Sequence, residues 1–194
     1  VLLAGFSHGL LHRNPSAQTL AFYEAQLRLI ELGWGRNDPG VQAMFTSRFL
    51  PGGNAEQVAS FNEHQRLSCD GLRAAAIVRA NAARDVQALV GKVQAPTLVL
   101  HCEGDMVVPL ALGHELAASI PGARFEMLRS RNHLPLPQEP AFERLCEVIT
   151  AFVAQQPPTV QLTPREHELA CLVGQGLDNL QIAAHMCLAF KELL

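Results

Sequence analysis

Asp105 and His133 are the residues of this chain whose types and spacing could do chemistry. A carboxylate that orients an imidazole, which in turn takes a proton from a nucleophile, is the arrangement that acyl transfer needs. The two lie 28 residues apart, the length of one helix plus one strand. They can therefore meet at one end of a parallel sheet, where open α/β sheets gather their working groups. An aspartate beside a glycine is ordinarily a turn residue, and a loop histidine is ordinarily solvated. It is their paired placement that points to a relay. Gly5-Phe6-Ser7-His8-Gly9 adds a Gly-x-Ser-x-Gly spelling, and Ser7 precedes both partners in the chain. Yet Leu10 to Asn14 lead into Pro15 and a loop, where an elbow serine needs a helix. Ser7 is thus the alternative nucleophile; the preferred expectation puts the true elbow upstream of Val1.

The elements that must position these groups follow from hydrophobic periodicity. Val1 to Ala4 read as the tail of a buried parallel strand. Leu20, Tyr23, Leu27 and Ile30 mark a helix from Ser16 to about Leu32, ended by Gly33-Trp34-Gly35. Short helices follow around Met44 to Phe49, Val58 to Phe61 and Leu72 to Val78, broken at Pro51-Gly52-Gly53 and Asp70-Gly71. Then the pattern changes to strand over 96–100, helix from Pro109 through Leu116, strand over Arg124 to Leu128, and a final helix facing Phe142, Leu145, Ile149, Phe152 and Val153 to one side. Strand, helix, strand, helix at these lengths predicts a parallel sheet and an α/β class.

A chain of 194 residues that is 48% hydrophobic can bury one sizeable core with a small appendage. Its net charge of −3 argues against a general nucleic-acid or anionic-membrane surface, and it has no run of apolar residues long enough to span a bilayer. Cys69, Cys102, Cys146, Cys171 and Cys187 are odd in number and lack CxxC spacing, so buried free thiols in a reducing cytoplasm are expected. His101 beside Cys102 has no second ligand pair at a metal-site spacing. No metal and no cofactor is expected.

The end of the chain reads differently. Thr163-Pro164-Arg165-Glu166 is a capping box with proline at the first helical position. Leu169, Leu172 and Val173 form one stripe, and Gly176 stands where a left-handed C-terminal residue is wanted. Asp178 or Asn179 can cap a second helix carrying Ile182, Ala183 and Met186. Gln155-Gln156-Pro157-Pro158-Thr159 reads as a stiff polar linker.

Two resemblances attach to these residues. Leu98 to Asp105 (LVLHCEGD), Val107-Val108-Pro109 and Asn132-His133 resemble the C-terminal half of the α/β-hydrolase family. Leu162 to Glu166, Gly176-Leu177, Asn179 and Gln181-Ile182-Ala183 resemble the LuxR-type helix-turn-helix of bacterial transcription regulators. Gly33-Trp34-Gly35 and Met44-Phe45-Thr46-Ser47 resemble the helical cap of bacterial proteins that fuse the two. These resemblances imply a partial α/β-hydrolase sheet with a helical cap over 1–153, a Pro-rich linker over 154–161 and a truncated all-α helix-turn-helix over 162–194. They imply Asp105 and His133 as catalytic and Trp34, Phe45, Phe49 and Phe61 as ligand-pocket residues. Asn179, Gln181 and Lys191 would face DNA. They also align the Ser7 segment with the strand from which the cap departs.

The expected whole is a fragment of a cytoplasmic LuxR-type regulator whose hydrolase-fold part senses or processes a small apolar ligand or ester. The intact parent would bind DNA, whereas this chain would be inactive in DNA binding and in catalysis. Ala189 cannot cap a recognition helix, and residues 162–194 carry a formal charge of about −2 facing phosphates. Competing expectations are a small esterase using Ser7, Asp105 and His133, and a sensor domain with an idle relay. An uncovered sheet edge further predicts homo-oligomers, with no membrane partner.

Overall fold

A computed structural model describes residues 1–36, 38–155 and 163–186. The chain divides into two compact units, Val1–Gln155 and Gln156–Leu194.

The first unit is built on three parallel strands in the order β1 (Leu2–Leu3), β2 (Leu98–Cys102), β3 (Arg124–Leu128). Leu3 pairs with Leu100, and Cys102 with Leu128. Every residue of β2 is buried, because it is paired on both sides and covered on both faces. Alternation along the strand sends Leu98, Leu100 and Cys102 into one core with Leu145, Val148 and Phe152 of α7 (Pro140–Ala154). Val99 goes to the opposite core with Leu116 of α6 (Leu110–Ser119) and Ile120. Fully burying each such aliphatic side chain contributes about 1.5–3 kcal/mol.

The strand expected at 1–4 is buried only on one flank. Leu2 is 39% exposed, since no described strand pairs with the outer edge of β1. Val153, expected to face the core, is 58% exposed, and Val148 occupies the stripe instead. Of the described cysteines, Cys102 is buried and Cys69 partly so, but Cys146 and Cys171 are exposed, which corrects the expectation of buried thiols; all four are free. Cys187 lies outside the described residues.

Between β1 and β2 the chain forms four substantial helices: α1 (Ala17–Gly33), α2 (Pro39–Phe49), α3 (Ala55–Ser68) and α4 (Gly71–Ala83). Each begins at a residue whose side chain accepts a backbone N–H of the first turn: Ser16, Asp38, Asn54 and Asp70. Helices α1 and α4 share a core of Leu27, Ile30, Ala74 and Ala75, against which Trp34 and Phe45 pack. Leu72 and Ile77, which marked this region in the sequence, point outward. One further turn, α5 (Gln87–Val90), has too few residues to show a period and was not anticipated.

In the second unit α8 (Pro164–Gly174) and α9 (Asn179–His185) each start in a capping box, Thr163 with Glu166 and Asp178 with Gln181. Gly176 has φ +79°, the left-handed region that glycine enters without a Cβ penalty. Leu172, Ile182 and Ala183 are buried, whereas Val173 is exposed.

Candidate active site

The loop after β2 is shaped by the carboxylate it carries. Oδ1 of Asp105 accepts the backbone N–H groups of Val107 (2.7 Å) and Val108 (3.0 Å), which folds the loop back over the strand end and points Oδ2 elsewhere. The loop after β3 comes alongside: Gly104 N–H donates to the Ser130 carbonyl at 2.9 Å. A Cβ at Gly104 would stand 3.0 Å from the Arg131 Cα, so a side chain there would push the two loops apart.

Across this junction Nδ1 of His133 meets Oδ2 of Asp105 at 2.9 Å. The Asp105 side chain is wholly buried and the His133 side chain is 19% exposed. Burial alone would raise the Asp105 carboxyl pKa. Hydrogen bonds from His101, His133 and the Val108 backbone, with the charge on His133, outweigh that and hold it well below the usual carboxylate range. An anionic Asp105 selects the tautomer of His133 with its proton on Nδ1, leaving Nε2 as the basic nitrogen. Among the described residues no hydroxyl or thiol is hydrogen-bonded to that nitrogen.

Three residues support this pair, none of them assigned a part in the relay from the sequence. His101 is fully buried on β2; its Nε2 bonds the Val108 carbonyl at 2.8 Å and lies 3.4 Å from Oδ2 of Asp105. Burial would lower its pKa, but Asp105 and the Val108 carbonyl raise it above the usual value overall. Its Nδ1 has no hydrogen-bond partner among the described residues and packs on Gly113, where a Cβ would come within 2.3 Å. Asn132, 1% exposed, accepts the Gly52 N–H at 2.8 Å through Oδ1 and donates through Nδ2 to Glu139. Glu139 also accepts the Leu136 N–H at 3.1 Å. The loop that carries His133 is thereby tied to the start of α7 and to the turn that follows α2.

Ser7 stands apart from this pair. It is 2% exposed, its Oγ lies 3.0 Å from Nδ1 of His8, and its carbonyl accepts the Val86 N–H at 2.8 Å. His8 Nδ1 is also the atom 3.4 Å from Glu115. A relay needs the base to use one ring nitrogen for the nucleophile and the other for the acid. Here both contacts fall on the same nitrogen, so Ser7, His8 and Glu115 do not make a second relay.

His133 lines a cavity of about 420 Å³ together with Trp34, Phe45 and Phe49. Phe61 does not line it. Its ring packs behind Phe49, centroid to centroid 5.5 Å, so it supports the wall rather than forming it. A depression of about 700 Å³ by Tyr23, Glu24 and Arg79 lies beside α1 and contains neither Asp105 nor His133. Among the described residues no group of three or more His, Cys, Asp or Glu is placed to hold a metal ion. No helix there is long and apolar enough to cross a membrane.

Of the residues expected to face DNA, Lys191 and the side chain of Asn179 lie outside the described residues. Gln181 is described, and its Oε1 accepts the Asp178 N–H at 2.9 Å, so it serves as a helix cap.

No family model matches the chain, and no curated protein matches it. Solved structures do. An esterase from Exiguobacterium antarcticum superposes with a TM-score of 0.63 at 17% identity, covering 76% of this chain and 53% of its own. A hydrolase from Oleispira antarctica gives 0.62 at 12% identity, covering 79% and 55%. An α/β-hydrolase enzyme from a Medee basin deep-sea metagenome library gives 0.57 at 13% identity, covering 82% and 57%. The chain spans about half the length of these structures. At such identities the likeness is one of fold: a parallel α/β sheet with helices, as in the α/β-hydrolases.

Proposed function

We propose that residues 1–153 carry the acid–base half of an ester-hydrolysing site, and that the cavity beneath the helical cap holds the substrate. The observation that carries this reading is the 2.9 Å bond between His133 Nδ1 and Asp105 Oδ2, on a ring that also faces the cavity. His133 Nε2 takes the proton of an attacking hydroxyl and returns it to the departing alcohol, while Asp105 stays ionised and stabilises the imidazolium. The nucleophile is a group other than Ser7. Likeness to esterases and hydrolases supports this reading over that of a regulator.

Tautomer and rate test it together. In ¹⁵N-edited NMR at neutral pH, His133 should carry its proton on Nδ1, and Asp105→Asn should move it to Nε2. The residual hydrolysis of p-nitrophenyl acetate should be small, because no oxyanion donors are assigned, should fall to background in His133→Ala and should persist in Ser7→Ala. Loss of the rate in Ser7→Ala alone, or a proton on Nε2 in the unmodified protein, would refute the assignment.

For α8 and α9 we propose two helices of a LuxR-type helix-turn-helix, a module that binds DNA. Its support is the pair of capping boxes around the left-handed Gly176. The Pro-rich linker expected over 154–161 lies, from residue 156 on, outside the described residues.

A further inference from the structure

The cavity that His133 lines has a second character besides its aromatic wall. Arg13, Arg48 and Arg84 also line it, and no aspartate or glutamate is among its described lining residues. Five other arginines of the first unit do meet carboxylates: Arg28 and Arg79 meet Glu31, Arg66 meets Glu63, Arg73 meets Asp70 and Arg144 meets Glu126, whereas Arg124 bonds the neutral Gln155 side chain. The three cavity arginines form no such ion pair among the described residues.

Their hydrogen bonds go to neutral acceptors. Arg13 donates to the His8 carbonyl (Nε 3.1 Å, Nη2 2.7 Å), Arg48 to the Met106 carbonyl (2.8 Å) and Arg84 to the Asn81 side chain (2.8 Å). Arg13 and Arg84 are moreover gathered at one ring, their guanidinium carbons 5.4 and 5.6 Å from the centroid of Phe6. Burial pulls the Arg13 pKa down, and Glu115, acting from a distance, opposes this only in part. Like charges held together beside an apolar wall repel unless an anion is shared between them.

We infer that the cavity takes an organic carboxylate with an apolar body, its head shared by Arg13 and Arg84 and its body against Trp34, Phe45 and Phe49. This deepens the reading of the site as ester-hydrolysing: a substrate there is an ester bearing a free carboxylate. It rests on that reading for the reaction but not for the binding. Guanidinium pairs grip a planar carboxylate through parallel N–H donors, which a neutral alcohol cannot match.

The protein holds its own reporter. Trp34 is the sole tryptophan of the chain, it lines the cavity, and its buried Nε1 has no hydrogen-bond partner among the described residues. Titration with octanoate at low salt should change Trp34 emission saturably. Octanol should bind about tenfold more weakly, and octylammonium should leave the emission unchanged. In the double variant Arg13→Ala, Arg84→Ala, octanoate affinity should fall about tenfold or more with octanol unaffected. Should that variant lose its far-ultraviolet circular dichroism, Arg84→Gln at an exposed position replaces it, with a loss of about threefold. Trp34 emission reads the anion binding and ester hydrolysis reads the relay, so failure of the relay and failure of anion binding are distinguished by two independent signals. Equal affinity for octanoate and octanol, absence of any saturable change with octanoate, or full octanoate affinity in a folded arginine variant overturns the inference.

Discussion

The backbone N–H of His133 donates to the carbonyl of Phe49 at 2.8 Å, and the two rings meet edge to face with centroids 5.2 Å apart. The last residue of α2 thus holds the imidazole twice, through its backbone and through its side chain. The base of the proposed relay is set by the helical region as much as by the sheet that carries Asp105.

Asn132 makes this attachment durable. Asn132→Ala would take away the partner of the part-buried Gly52 N–H and one of the two donors to Glu139 Oε1, leaving it only the Leu136 N–H, a loss of about 1–2 kcal/mol. Urea unfolding should show the lowered midpoint with an unchanged slope. A midpoint equal to that of the unmodified protein would show that the hub is dispensable.

The pH dependence has two limbs of opposite sign. Asp105 has a folded pKa held below its unfolded value, so its contribution is fully present above about pH 4 and fades as pH falls through the folded value. His101 has a folded pKa raised above its unfolded value, so its contribution is full below about pH 6.5 and is lost as pH rises through the folded value. The stability difference between the unmodified protein and Asp105→Asn should therefore be greatest between these limits and shrink on both sides. A difference that stays flat from pH 3 to pH 9 would remove the proposed coupling.

Thiol reactivity should separate the cysteines. Burial, then the charges of Asp105 and Glu139, push the Cys102 thiol up to about 12, so it is unreactive at pH 8. Iodoacetamide followed by peptide mass analysis should modify exposed Cys146 and Cys171 and spare Cys102 until denaturant is added. Rapid labelling of Cys102 in the native protein would contradict the packing of β2.

DNA affinity of this chain should be negligible. Gln181 is engaged in its own helix cap, and residues 162–194 are net acidic. A gel shift at low salt should show no saturable complex. A saturable shift that weakens steeply with added salt would reverse that expectation.

What could be read from the sequence was what repeats locally. Arg124 to Leu128 alternates and is a strand over those same residues; Ser16 and Asp70 precede apolar periods and cap helices there. The pairing of Asp105 with His133 was legible because chain order and spacing constrain a parallel sheet. His101 was not, since within an apolar run its role depends on a carbonyl seven residues away. Nor was Asn132, whose partner Gly52 is 80 residues distant. The exposure of Cys146 could have been read: it follows Leu145, and one residue turns a helix by about 100°, away from that stripe. Phe61 looked equivalent to Phe49, and only packing distinguishes the surface ring from the one behind it.

The double hold of Phe49 on His133 limits how α2 can move. Hinging α2 away from the sheet would drag the imidazole off its carboxylate, so the proposed relay is kept only while the end of α2 stays where it is. A change that loosens this helix end would be felt at the proposed base before it reached the strand that leads to Asp105.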